Sequence, residues 1–136
     1  MNPVLTKKQV LRLKKVHVSL VYLFGSYAES RSGPLSDVDI GIVFYSDFLL
    51  PKDCRRIYNE LYDVFTDVFP GKSVDIVFLQ KAGLELCFDV ITHGSILYEY
   101  SRDERFNFEE KITLLYADFK PILNEFNKAV LERISV

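Results

Sequence analysis

This chain carries two short apolar runs, residues 18–24 and 37–45, which are separated by a segment of turn-forming residues. Both runs are rich in β-branched and aromatic residues, so each predicts a buried strand. The first run ends at Gly25, and the second opens with two acids, Asp37 and Asp39. We therefore expect two strands whose ends place a glycine turn opposite a pair of carboxylates.

The turn after the first strand begins with Gly25 and Ser26. Ser26 is expected to cap or open a short helix over residues 27–30. Backbone N–H groups at a strand-to-helix turn point outward together with the positive end of the helix dipole, which suits a phosphate group. A glycine also lets the phosphate approach the backbone closely. Gly25 and Ser26 therefore predict a phosphate-binding turn.

Asp37 and Asp39 are two residues apart in the second predicted strand. Residues with this spacing face the same way, so Val38, Ile40 and Ile42 should pack on the opposite face. Two carboxylates on one face repel each other unless a cation lies between them, and Mg²⁺ prefers such oxygen ligands. The alternative is an acidic turn or a solvated strand edge, although an unpaired Asp39 inside an apolar run would be costly to bury.

A third acid, Asp75, lies in the middle of another β-branched run, residues 72–79. If this strand neighbours the second one, Asp75 completes a cluster of three carboxylates. Such a cluster can hold one or two divalent ions and accept a proton from an attacking hydroxyl group. The alternative is an ion pair of Asp75 with Lys72 or Arg31 near a strand edge.

The rest of the chain alternates helical and strand patterns. Thr6 to Gln9 matches a capping box that starts a helix running to about Lys15. Further elements are a helix with Pro51 in its first turn and apolar residues to Val68, a helix from Gly83 to His93 that stops at Gly94, and a strand over residues 95–99. The predicted fold is α/β (α+β), with a small mixed sheet backed by helices.

The last segment, residues 103–134, predicts a helical tail with a broad apolar stripe. Pro121 should kink this helix or make it restart after Lys120. Two interpretations of the stripe stay open: simple packing on the core, or a surface of which part covers a protein partner or a second copy of the chain.

At 136 residues the chain is expected to be one domain over residues 1–136, with a core at about 18–100. Its net charge of −2 gives no bulk attraction to nucleic acid, so nucleic acid is not expected as the direct substrate. The chain shows neither a signal peptide nor an apolar stretch of membrane-spanning length, so we expect a cytoplasmic protein. Cys54 and Cys87 are interpreted as buried free thiols, and no zinc-ligand spacing is present.

Together these motifs resemble the nucleotidyltransferase superfamily related to DNA polymerase β. The resemblance rests on Gly25-Ser26, on Asp37-x-Asp39 after ten intervening residues, and on Asp75 in a V-D-I-V strand. The short length resembles the minimal nucleotidyltransferase (MNT) group. The ending, residues 94–99 followed by a helical tail, is similar to the MntA-type antitoxins of HEPN/MNT toxin–antitoxin systems.

This resemblance implies binding of ATP with one or two Mg²⁺ ions, and transfer of AMP to a tyrosine of a HEPN ribonuclease toxin, which silences the toxin. The C-terminal helix would then support a hetero-oligomer. The implied site residues are Gly25 and Ser26 for the triphosphate, Asp37 and Asp39 for the metal, and Asp75 as metal ligand or base.

The chain departs from many relatives at Glu29-Ser30, where they carry Arg-Gly, so a positive charge near the phosphates is missing. One alternative function is therefore a catalytically weak MNT-fold module that neutralises its partner by contact. Another is a small-molecule nucleotidyltransferase of the aminoglycoside-modifying type. Those relatives usually carry an additional domain, for which this chain has little room.

Overall fold

A computed structural model of the chain describes residues 3–25, 37–45 and 48–134. The elements within these ranges follow one another in a simple order, with a short 3-10 turn at Leu79–Lys81. They are α1 (Lys7–Lys15), β1 (Val18–Phe24), β2 (Val38–Phe44), α2 (Arg55–Val68), β3 (Val74–Phe78), α3 (Leu84–His93), β4 (Ser95–Glu99) and α4 (Arg102–Ile134).

The four strands form one mixed sheet in the order β3-β2-β1-β4. β1 pairs antiparallel with both β2 and β4, whereas β2 pairs parallel with β3. A parallel pair needs a long crossover connection, and α2 lies in that connection. The sheet and its helices confirm the predicted α/β fold class.

Helices cover both faces of the sheet, because each strand places alternate side chains on opposite faces. On one face, Val21 and Ile40 belong to the same buried cluster as Leu13 of α1 and Phe65 of α2. On the other, Leu20, Val43, Val90 of α3 and Ile112 of α4 form a second buried cluster. Burying such a side chain contributes roughly 1.5–3 kcal/mol relative to leaving it exposed.

The start of α1 confirms the predicted capping box. The Thr6 side chain accepts a hydrogen bond from the Gln9 backbone N–H at 3.2 Å, and the Gln9 side chain accepts one from the Thr6 N–H at 2.9 Å. These two contacts satisfy N–H groups that a helix leaves without an internal partner. The helix ends at Lys15, as the sequence predicts.

The predicted position of Pro51 in the first turn of a helix is wrong. α2 begins at Arg55, and the Pro51 carbonyl instead accepts a hydrogen bond from the Cys54 thiol at 3.0 Å in the preceding loop. Cys54 lies in this loop and is half-buried, so the expectation that both cysteines are buried is wrong for Cys54. Cys87 is buried, and both cysteines are free thiols.

The helix α4 is continuous through Pro121, so of the two predicted outcomes the restart after Lys120 is wrong, and the kink stays a prediction. A proline inside a helix has no backbone N–H, so one internal hydrogen bond is missing at this position. Beyond the proline, Ile122 and Phe126 are each 66% exposed, so they are not part of the core. No helix in the described ranges has both the length and the apolar character that crossing a membrane requires.

Candidate functional site

The three predicted acids lie at the same end of two neighbouring strands, β2 and β3. Asp39 is in β2, opposite Phe24 of the antiparallel strand β1 and beside Asp75 of the parallel strand β3. Adjacent strands lie about 4.8 Å apart, so the backbones that carry Asp39 and Asp75 are immediate neighbours. Asp37 directly precedes β2. The condition set by the sequence, that the Asp75 strand neighbours the Asp39 strand, is confirmed.

The faces of β2 also agree with the sequence pattern. Val38, Ile40 and Ile42 are fully buried against α1 and α2. Asp39 alternates with these residues along the strand, so it lies on the other face with Val43. Val43 packs among residues of α3 and α4. The acids therefore lie on the α3/α4 face of the sheet, at the end of β1 where the chain enters the Gly25 turn.

Gly25 and Asp39 fit each other closely. Gly25 has a φ angle of +77°, a region that favours glycine, and a β-carbon at this position would collide with Oδ2 of Asp39. The Asp39 carboxylate thus occupies the space that a side chain at position 25 would need. The second residue of the predicted phosphate-binding turn, Ser26, lies outside the described residues, as do Glu29 and Ser30.

The electrostatic environment raises the pKa of Asp39 above its usual value. Burial is the largest cause, followed by the negative charges of Asp75 and Asp37. Each of these influences disfavours the charged form of Asp39. A cation bound beside Asp39 would have the opposite effect, because it would stabilise the charged carboxylate and lower its pKa.

The carboxylate oxygens suit a hard cation such as Mg²⁺. Within the part of the chain that the structure describes, however, no three acidic, histidine or cysteine side chains converge closely enough to form a metal site. Asp37 and Asp75 are exposed and Asp39 is half-buried. Only for Asp39, therefore, does the cost of burying an unpaired carboxylate argue against a solvated strand end. The metal-binding roles of all three acids stay predictions.

A cavity of about 530 Å³ lies at the other end of β2. Its walls are mostly apolar and come from the end of β2, the turn after β3 and the first half of α4. Since Asp39 belongs to the opposite end of the strand, this cavity is separate from the carboxylates. The lining includes Phe44, Tyr45, Phe48, Leu79, Phe108 and Ile112.

Gly94, between α3 and β4, lies directly beside the end of β1. The sequence predicted this residue as a helix stop and as the first residue of the 94–99 segment that resembles MntA-type antitoxins. A close approach between two backbones leaves no signal in one sequence beyond the glycine itself, so its proximity to the site was missed.

A family model described as "Polymerase beta, Nucleotidyltransferase" matches residues 7–104, which include all three acids and the Gly25 turn. The chain is also 27% identical over 103 residues to a protein adenylyltransferase, MntA of Shewanella oneidensis. That alignment covers 74% of this chain and 70% of the relative.

Solved structures give the same fold. A toxin–antitoxin crystal structure with AMP-PNP contains a chain that is 24% identical, with a TM-score of 0.64 and coverage of 97% of this chain and 100% of that one. A solved complex of a tri-AMPylated Shewanella oneidensis HEPN toxin with MNT antitoxin contains a chain that is 23% identical to this one. The TM-score is 0.62, and the match covers 95% of this chain and 94% of that one. These likenesses show a shared backbone architecture.

Proposed function

This chain belongs to the polymerase β nucleotidyltransferase family, and we propose that it transfers AMP from ATP to a tyrosine hydroxyl of a HEPN-domain toxin, as the antitoxin of that pair. The MntA relative, a protein adenylyltransferase, supports the reaction class. The AMPylated HEPN toxin in one similar complex supports the acceptor, and AMP-PNP in another supports ATP as the donor.

The observation that carries this proposal is the contact between the Gly25 turn and Asp39, with Asp75 on the neighbouring strand. In support of the proposal, Gly25 of the proposed phosphate-binding turn lies against Asp39, one of the proposed metal ligands. A nucleotide whose triphosphate lies at the turn would then have its α-phosphorus close to the carboxylates. Such positioning is the main contribution that a protein makes to transfer of a phosphoryl or nucleotidyl group.

We assign the proposed roles residue by residue. Gly25 and Ser26 would bind the triphosphate through backbone N–H groups, while Asp37 and Asp39 would hold Mg²⁺. Mg²⁺ held there would supply positive charge against the phosphates. In the proposed reaction the acceptor oxygen attacks the α-phosphorus, and the bond to pyrophosphate, the leaving group, breaks. Asp75 helps to hold the ion or accepts the proton of the acceptor hydroxyl, which has an ordinary pKa near 10 in tyrosine.

We assign the partner-binding surface to the distal half of α4. This half of the helix carries large apolar side chains that the sheet does not cover, and a single unpacked helix gains little stability alone. A helical protein partner would bury this stripe. Its exposed apolar residues are Ile122, Phe126, Val130 and Leu131.

The test is to incubate the protein with a HEPN toxin, ATP and Mg²⁺, and to measure the intact mass of the toxin. We expect a mass gain of one or more AMP units, and peptide mapping should place them on tyrosine. The same reaction with EDTA, or with the Asp39→Asn variant, should give no gain. A toxin mass that stays unchanged with the wild-type protein would contradict the proposal.

Neutralisation by contact is the second candidate, and the exposed apolar stripe of α4 is the observation that favours it. The two candidates differ in what the acids do. If the Asp39→Asn variant still suppresses toxin activity at equimolar concentration, contact is sufficient. Loss of suppression with retained complex formation supports AMP transfer.

A further inference from the structure

Gly94 joins the end of α3 to the start of β4. Its φ and ψ angles of −79° and 174° are extended and open to any residue, so the conformation does not require glycine. The expected reason for a glycine at a helix stop, a left-handed backbone, therefore does not apply here.

The space around Gly94 does require glycine. A β-carbon at this position would lie 2.6 Å from the Val90 carbonyl oxygen and 3.0 Å from the Leu23 carbonyl oxygen. It would also lie 3.4 Å from Cβ of Phe24. The two closest atoms are backbone oxygens within regular elements, which cannot rotate away as the tip of a flexible side chain can.

Leu23 and Phe24 are the last two residues of β1, immediately before Gly25. Leu23 pairs with Ser95 of β4 on one side, and Phe24 pairs with Asp39 of β2 on the other. A displacement of this strand end would therefore change the position of Gly25 relative to Asp39. That contact has no spare room, since the Asp39 carboxylate already fills the side-chain space of residue 25.

We propose that Gly94 is a positioning residue of the nucleotidyl-transfer site. By lacking a side chain, it lets the end of α3 pack closely on the end of β1, and this packing sets the position of the Gly25 turn relative to Asp39. Gly94 itself contacts no substrate. The inference rests on the proposed function, because it assigns Gly25 and Asp39 to the nucleotide and the metal.

The chain offers a matched control at Gly83, the N-cap of the same helix. A β-carbon at Gly83 meets no atom within 4 Å, and its φ angle is −67°. Gly83→Ala therefore adds the same methyl group to the other end of α3 without a clash. Both alanine variants are compared with the wild type, each corrected for its folded fraction.

The first measurement is the increase in melting temperature caused by AMP-PNP with Mg²⁺, because ligand binding to the folded state raises apparent stability. We expect Gly94→Ala to lose most of this increase and Gly83→Ala to keep it. We also expect AMP transfer by Gly94→Ala to fall about tenfold or more, since small misplacements of reacting groups are costly. A Gly94→Ala variant that melts earlier but keeps the full ligand-induced increase would show a merely structural role and overturn the proposal.

A measurement on the wild-type protein keeps the inference testable if Gly94→Ala fails to fold. In an amide NMR spectrum, titration with AMP-PNP and Mg²⁺ should shift the Gly94 signal and leave the Gly83 signal in place. An unmoved Gly94 signal overturns the positioning role. If ligand shifts Gly94 but no AMP reaches a toxin, the proposed function fails while the positioning role stands; a wild type without any response to ligand overturns both.

Discussion

Two groups of acidic side chains lie beside opposite ends of β1, and their surroundings differ. At one end, Asp39 opposes Phe24, and burial together with the charges of Asp37 and Asp75 raises its pKa. Near the other end, Glu99 opposes Leu20. Arg105 of α4 contacts Glu99 at 3.2 Å.

Arg105 also contacts Glu109 at 3.1 Å, and the Tyr22 hydroxyl donates a hydrogen bond to the same Glu109 at 3.2 Å. This network joins β1, β4 and α4, so its charges hold the helix to the sheet. The charges of Asp37 and Asp75 instead disfavour the charged form of Asp39, which is costly for a group that serves only the fold. Acids with perturbed pKa values mark candidate functional sites, whereas paired acids more often have a structural role.

The largest expected effect is on activity at the Asp39 end. Asp39→Asn removes a proposed metal ligand, so AMP transfer should fall by about two orders of magnitude or more. The melting temperature should stay equal or rise, because the substitution removes a charge that its surroundings disfavour. Transfer is measured by toxin mass, and stability by thermal unfolding without metal.

Asp63→Asn is the control for this prediction. Asp63 is an exposed acid on α2 that pairs with Arg12, remote from the proposed site. It should leave transfer unchanged. If Asp39→Asn were strongly destabilising, the acids around Asp39 would have a structural role and the contrast between the two ends would fail.

The second effect is on stability at the paired end. Arg105→Gln leaves Glu99 and Glu109 without their shared cation, and we expect the free energy of unfolding to fall by about 1–3 kcal/mol. Glu99 and Glu109 are 30% and 25% exposed, and solvent screening favours the lower part of this range. Urea denaturation measures the change, and AMP transfer per folded molecule should be retained.

Arg55→Gln provides a matched control, because the Arg55–Asp53 pair is local and its side chains are 88% and 63% exposed. It should change the free energy of unfolding much less than Arg105→Gln does, because solvent screens an exposed pair. Equal losses in the two glutamine variants would mean that the Arg105 network contributes no more than a surface pair.

Local patterns in the sequence predicted the Asp39 end well. The bounds of β1 follow from a β-branched run stopped by Gly25, and the face of Asp39 follows from strand alternation beside buried Val38 and Ile40. These features depend on neighbouring residues only. The position of Asp75 beside Asp39 needed one further assumption, the order of the strands, which the structure supplies.

The paired end was not predicted, because its partners are far apart in the sequence. Tyr22 and Glu109 are separated by 87 positions, so no local pattern joins them. The same reason explains Gly94, whose clash partners belong to α3 and β1 together. Contacts of this kind depend on how helices pack on the sheet, which propensity and periodicity do not determine.

The smallest expected effect compares two tyrosines, the buried Tyr22 and the half-buried Tyr98. Tyr22 donates to Glu109, whereas the buried hydroxyl of Tyr98 has no hydrogen-bond partner among the described residues. Tyr22→Phe should therefore lower the free energy of unfolding by about 1 kcal/mol near neutral pH, and Tyr98→Phe should leave it unchanged or slightly raise it. Equal losses would show that the Tyr98 hydroxyl has a partner in solution.

The Tyr98 phenol should also make the free energy of unfolding depend on pH in the alkaline range. Burial, with smaller contributions from Tyr45 and Tyr100, raises the pKa of Tyr98 from its ordinary 10.0 to about 12. The folded state thus holds this proton more tightly than the unfolded state, so the contribution is complete below pH 10 and is lost as the pH rises toward 12. Urea denaturation at pH 8 and pH 11 should therefore show a smaller alkaline loss in Tyr98→Phe than in the wild type. An equal loss in both proteins would mean that the folded state does not hold the Tyr98 proton more tightly than the unfolded chain.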